Sequence, residues 1–175
     1  MMGRPIAYLI TFTTYGAWLH GDKRGSVDKS HNRHADNFVA PDVTRENEER
    51  VALKNQAIML SLKQREVVRD AILQVCEFRG WAAHAVHVRA NHVHIVVAGS
   101  AGPEKMMVDF KAYATRAMRL CDEPQTTATK YWTQHGSTKY LWTRRRVAAA
   151  IRYVRDGQGR IMAFGTMCKQ SPERK

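Results

Sequence analysis

The stretch VRANHVHIVVAG, residues 88–99, places two histidines one residue apart within a run of β-branched side chains. Runs of this composition are typical of strands. Because successive side chains of a strand point to opposite faces, Val93 and Ile95 fall on one face, and His92 and His94 share the other. The stretch therefore predicts a strand that packs on helices through its aliphatic face and holds two neighbouring imidazoles on its open face.

The sequence around this stretch alternates strands with helices. We expect strands at 6–18, 82–90 and 131–142, and helices at 62–79, ending at Gly80, and at 103–121. A final helix is expected with Thr143 as its N-cap and with Gly157 or Gly159 near its end. The first six elements match the split βαβ plan of ferredoxin-like domains. The predicted fold is therefore α+β, with an antiparallel sheet, helices on one face of it, and an extra C-terminal helix.

Length and composition limit the organisation of the chain. A length of 175 residues favours one domain, placed at 1–165, with a long polar loop at 19–45 and a short polar tail at 166–175. No run of about 18 apolar residues occurs, so no membrane-spanning helix is expected. The cysteines at 76, 121 and 168 are odd in number and far apart, which favours a reducing, cytoplasmic setting without disulfides.

The charge of the chain is strongly positive. Lys and Arg number 28 against 16 acidic residues, which gives a net charge of +12 at pH 7. A surplus of this size attracts polyanions, and nucleic acid is the commonest large polyanion. A basic but otherwise ordinary soluble protein is the alternative interpretation.

Two imidazoles on one strand face can form a metal chelate. Neutral imidazole binds Mn, Fe, Zn and Co, and two ligands leave positions open for water or substrate, as in catalytic metal sites. A hydrogen-bonded histidine pair without a metal is the alternative. His84 or His87 on the neighbouring strand can orient one of these ligands without itself binding the metal.

Three segments together resemble a known family. NHVHIVV (91–97), YWTQHGSTKYLW (131–142) and AIRYVRDGQG (150–159) are similar, in this order, to the single-tyrosine HUH transposases of bacterial insertion sequences, and most similar to the REP-associated branch. The resemblance covers nearly the whole chain, to about residue 160.

The resemblance implies a mechanism and a set of partners. His92 and His94 would bind a divalent ion, Mg or Mn, and a tyrosine on a later helix would attack single-stranded DNA near hairpins. The product would be a 5′-phosphotyrosine link with a free 3′-hydroxyl. A third, polar ligand is expected one turn beyond the tyrosine. Gln158 is the candidate, although Gly157 occupies the simplest offset. Family members often form homodimers, and we expect one here.

Two tyrosines lie on predicted helices. Tyr113 falls inside the apolar stripe of its helix, which predicts a core side chain. Tyr153 falls beside the stripe of the final helix, next to Ala149 and Ala150, whose small side chains leave room for DNA. The order of elements in the family agrees, so Tyr153 is the predicted nucleophile. A phenol is mostly protonated at neutral pH and needs a neighbouring cation to attack a phosphodiester.

Several cations are candidates for DNA contact. Three consecutive arginines at the start of a helix oppose the helix dipole, which suggests another use for them. A solvated helix face is the alternative for each cation. The predicted DNA-binding residues are Arg144, Arg145, Arg146, Lys111 and Arg116, and Trp132, Trp142 and Tyr140 can either stack on bases or pack in the core.

The sequence thus favours a metal-dependent single-stranded DNA endonuclease and strand transferase. A non-catalytic nucleic-acid-binding protein derived from a transposase is the second interpretation. A small metallohydrolase unrelated to DNA is the third, and it is favoured if substitution of Tyr153 leaves activity intact.

Overall fold

A five-stranded antiparallel sheet forms the centre of the molecule. The computed structural model describes residues 3–17, 44, 51, 57–121, 130–157 and 163–166. The strands are β1 (Ala7–Thr13), β2 (Ala82–Val88), β3 (His92–Ala98), β4 (Ser137–Leu141) and β5 (Ala163–Gly165). They lie in the order β4-β1-β3-β2-β5, and every neighbouring pair is antiparallel.

Three helices lie within the described ranges, namely α1 (Leu62–Arg79), α2 (Pro103–Arg119) and α3 (Arg144–Asp156). A capping box formed by Ser61 and Gln64 begins α1, and Gly80 ends it in the left-handed region at φ 68°. Thr143 begins α3 by accepting a hydrogen bond from the Arg146 amide. These caps satisfy backbone groups that helix ends leave without intrahelical partners.

The larger core lies between one face of the sheet and helices α1 and α2. Strand side chains such as Ile10, Val86 and Ile95 pack there against Ile72 and Phe110, all of them buried. Burial of each such side chain stabilises the fold by about 1.5–3 kcal/mol. This core fixes which face of β3 is aliphatic.

Helix α3 packs on the opposite face of the sheet. Ala150 and Val154 of α3 are buried against a smaller cluster that includes Leu9, Ala85 and Val96. The α+β, ferredoxin-like fold class, with an extra helix carrying Tyr153, is thus confirmed.

The structure differs from the predicted elements in three places. The strand expected at 131–142 is limited to β4, and Trp132 reaches the sheet only through an isolated bridge to Thr14. A bulge interrupts β2 between Ala83 and Ala85. The edge strand β5 was not predicted.

Two predicted segments, the long polar loop and the C-terminal tail, lie mostly outside the described residues. The loop at 19–45 lies almost entirely outside the described residues, as does most of the tail at 166–175. Within the described residues, no helix has the length and apolar character needed to cross a membrane.

Candidate active site

One row of side chains crosses the sheet on the face that α3 covers. Cross-strand pairing aligns Ser137 with Thr11, Thr11 with His94, His94 with His87, and His87 with Phe164. Residues directly opposite one another in a sheet point to the same face. The row therefore brings two hydroxyls, two imidazoles and an aromatic ring together on the face that α3 covers.

The histidine pair occupies the centre of this face. The ring centroids of His92 and His94 lie 4.8 Å apart. His92 Nδ1 lies 2.7 Å from Asn91 Oδ1, and an amide oxygen only accepts hydrogen bonds, so Nδ1 is the donor. Neutral His92 then carries its lone pair on Nε2. His94 Nδ1 lies 2.7 Å from Thr11 Oγ1, which orients the second ring.

Tyr153 reaches the histidine pair from α3. Its ring centroid lies 5.6 Å from that of His94, at an interplanar angle of 70°. The apolar anchors of α3 decide this position, because burial of Ala150 and Val154 leaves Tyr153 at the edge of the contact. Tyr153 is 47% exposed whereas His94 is 7% exposed, so the phenol lies between solvent and the imidazoles.

His87 links β2 to the end of α3. Its side chain is fully buried, and Nδ1 donates a hydrogen bond of 2.8 Å to the Val154 carbonyl. Burial lowers the pKa of His87, which favours the neutral ring. Val154 directly follows Tyr153, so this hydrogen bond holds the tyrosine-bearing turn over the sheet.

The donor set fits an open divalent-ion site with two imidazoles. In the part of the chain that the structure describes, no group of three or more His, Cys, Asp and Glu side chains could hold a metal. Gln158, the predicted third ligand, lies outside the described residues. The expectation of Mg or Mn stays a prediction.

The predicted DNA-binding cations lie on two different layers. Arg144, Arg145 and Arg146 are exposed on the first turn of α3, the helix that carries Tyr153. Arg116 lies on α2, on the other side of the sheet, with its guanidinium 5.4 Å from the ring centroid of Tyr113. The structure therefore places the three arginines, and not Arg116, on the helix of the candidate nucleophile.

Lys111 on α2 holds the segment before β4. Its ammonium donates hydrogen bonds of 2.9, 3.2 and 3.1 Å to the carbonyls of residues 133, 134 and 135. Burial, followed by repulsion from Lys130, lowers the pKa of Lys111 to about 8. These contacts favour a structural role for Lys111, and its contact with DNA stays a prediction.

Tyr113 packs against the larger core, between α1 and α2. The sheet therefore separates it from the histidine pair. Of the two candidate tyrosines, the structure brings only Tyr153 to the imidazoles.

The sequence reasoning missed the side chains that orient the imidazoles. Thr11 and Thr13 alternate with buried residues in β1, and Thr11 bonds His94. Asn91 directly precedes His92 and accepts a hydrogen bond from its ring. The sequence offered one signal for Thr11, which is a polar side chain that alternates with apolar residues in β1; the signal does not name His94 as its partner.

Comparisons with known proteins bear on this arrangement. No protein-family model matches the chain, and no curated protein matches it. Among solved structures, a REP-associated tyrosine transposase bound to a REP hairpin is similar, with a TM-score of 0.50 and 12% identity. The chain shares the fold of that transposase. The alignment covers 87% of the chain and 66% of the transposase, so the chain spans less than two thirds of that protein's length.

Proposed function

We propose that the chain is a metal-dependent single-stranded DNA endonuclease and strand transferase of the REP-associated HUH type. The observation that carries the proposal is the convergence of His92, His94 and Tyr153 from β3 and α3. A phenol next to two oriented imidazoles supplies a nucleophile and a metal-binding pair within one site. The similarity in fold to a tyrosine transposase supports the same conclusion.

The covalent step uses the Tyr153 hydroxyl. Its oxygen attacks the phosphorus of a DNA phosphodiester, and a new oxygen–phosphorus bond forms while the bond from phosphorus to the 3′-oxygen breaks. The phenol loses its proton, and the departing 3′-oxygen gains one. Because one phosphate ester replaces another, the bond energy is kept for rejoining. The exposed position of Tyr153 gives a DNA strand access to it.

His92 and His94 would hold a divalent ion, with Gln158 as the proposed third ligand. Bound there, the ion would offset negative charge that develops on the phosphate oxygens. Imidazole ligands suit Mn better than Mg, which prefers oxygen. Asn91 and Thr11 orient the two rings, and such partners of ligands typically strengthen metal binding.

The proposed substrate is single-stranded DNA that carries a hairpin. The transposase similar in fold is bound to a REP hairpin, and the net charge of +12 fits a polyanionic partner. Arg144, Arg145 and Arg146 would contact phosphates on the strand that reaches Tyr153. We also propose a homodimer, which sedimentation of the purified chain would test.

Covalent capture tests the enzyme directly. The chain is incubated with a labelled, hairpin-bearing single strand and Mn, and protein-linked label is measured on a denaturing gel. We expect a covalent adduct that Tyr153→Phe abolishes and that His92→Ala and His94→Ala strongly reduce. Tyr113→Phe is the matched control, since Tyr113 lies across the sheet, and it should keep the adduct.

The same assay discriminates the second interpretation. Tight binding of the hairpin strand without an adduct in either Mn or Mg would contradict the enzyme and favour a non-catalytic nucleic-acid-binding protein. Hydrolytic activity that survives Tyr153→Phe would instead favour a metallohydrolase.

A further inference from the structure

Two exposed aromatic rings lie side by side at the edge of the sheet. Tyr140 of β4 and Trp142 just after it stack with centroids 6.2 Å apart and planes 17° apart. They are 43% and 44% exposed. Tyr8, which is almost buried, contacts Tyr140 edge-to-face at 5.3 Å and holds its ring. We call Tyr140 and Trp142 the aromatic step, which is a held, flat and exposed apolar surface.

A cluster of cations follows the aromatic step directly. After Trp142 and the cap residue Thr143, Arg144, Arg145 and Arg146 form the first turn of α3. Among the described residues, no carboxylate forms an ion pair with these three arginines. Glu104 accepts a hydrogen bond from Thr138, two residues before Tyr140 in β4. A partner that fits this surface has flat rings and negative charge together.

The aromatic step lies on the other face of the sheet from the candidate active site, because Tyr140 pairs with Tyr8, whose ring belongs to the larger core. Arg146 and Tyr153 are seven residues apart on α3, so they share one helix face about 10 Å apart. β4 is an edge strand, so a polymer that leaves α3 at Arg146 can pass around the sheet edge onto Trp142. Along the chain, the three arginines lie between Trp142 and Tyr153.

We propose that the aromatic step is a base-stacking subsite for unpaired DNA that passes around the sheet edge from the nicking site, with Arg144–Arg146 holding the phosphates between the two. Unpaired bases offer their faces to aromatic rings, whereas duplex bases are already stacked on each other. The inference depends on the proposed function only for the choice of DNA as the ligand.

The other tryptophan near β4 does not serve this role. Trp132 is 5% exposed, packs edge-to-face on Phe12 and donates from Nε1 to Thr115 Oγ1. Its ring belongs to the core. Of the two roles that the sequence allows for these aromatic residues, Trp132 therefore packs in the core, whereas the exposed Trp142 and Tyr140 are free to stack on bases.

Binding of short strands tests the subsite. Fluorescence anisotropy is measured with labelled oligothymidine of about ten nucleotides, a length in the range of single-strand binding sites. We expect Trp142→Ala to weaken binding about tenfold, since stacking of one base contributes an affinity factor of that order. Trp142→Phe should keep most of the affinity. Phe78→Ala, which removes a 72% exposed ring from α1, is the matched control and should change nothing.

Two further strands sharpen the test. A duplex of the same length, and a single strand that contains abasic sites, should bind the wild type and Trp142→Ala equally. The proposal is overturned if the wild type binds oligothymidine no more tightly than the abasic strand. It is also overturned if Trp142→Ala and Tyr140→Leu are both folded and bind oligothymidine as tightly as the wild type. If Trp142→Ala loses affinity for the duplex but not for the single strand, the surface binds a different partner, and the proposal is overturned.

The outcome is separable from that of the nicking assay. Without any covalent adduct, a tenfold loss in Trp142→Ala still supports the subsite. An adduct that depends on Tyr153, together with unchanged binding by Trp142→Ala, rejects the subsite alone.

Discussion

Replacement of His87 by leucine should loosen the end of α3. His87 is fully buried, and its Nδ1–H caps the Val154 carbonyl, one of the last four carbonyls of the helix. Removal of a buried donor costs about 1–3 kcal/mol. For a chain of this size each kcal/mol lowers the melting temperature by about 2–4 °C, so we expect a decrease of about 2–12 °C.

Urea and thermal denaturation measure this loss. His87→Gln keeps an N–H donor on the side chain and should recover part of the stability. His84→Leu, on the same strand but only partly buried, is the matched control and should cost less. If His87→Leu unfolds with a free energy within about 0.5 kcal/mol of the wild type, the range of ordinary surface substitutions, the capping role is refuted.

Three further predictions concern the fold, its pH dependence and the proposed metal. Gly80→Ala should cost about 1 kcal/mol in urea denaturation, because φ is +68° and no atom lies within 4 Å of the added carbon. Gly136→Ala should cost more, since its added carbon would lie 2.5 Å from the Thr11 carbonyl oxygen; equal losses would contradict this. The pKa of Lys111 is about 8 in the folded chain, against 10.5 for an unperturbed lysine, which stands for the unfolded chain. Between these two pH values unfolding takes up a proton, so Lys111 makes the free energy of unfolding rise with pH. Lys111→Met should remove that rise in pH-dependent denaturation, and an unchanged slope would refute the assignment. Thr11→Val removes the hydrogen-bond partner of His94 and should weaken Mn binding about 10- to 100-fold by calorimetry, whereas Thr11→Ser should not.

Local patterns predicted most of the secondary structure. Gly80 and Thr143 act at helix ends as expected, because caps depend on residues within one turn. The edge strand β5 was missed, since its three residues show no alternation and it forms by pairing with β2. The bulge after Ala83 also leaves no local signal, although it moves Ala85 to the α3 face.

Part of the candidate site was predictable for the same reason. The shared face of His92 and His94 follows from alternation along one strand, which the structure confirms through burial of Val93 and Ile95 on the other face. Asn91 and Thr11 were not assigned to the site. Asn91 adjoins His92, but Thr11 is 83 residues from His94 in sequence, and only strand pairing brings them together.

The sequence by itself determined that two imidazoles share a strand face and that Tyr153 borders the apolar stripe of a helix. Both are properties of backbone periodicity over a few residues. Only the tertiary structure decided that α3 covers the histidine face while Tyr113 lies across the sheet. That choice depends on where Ala150 and Val154 find apolar partners, and those partners come from strands distant in sequence.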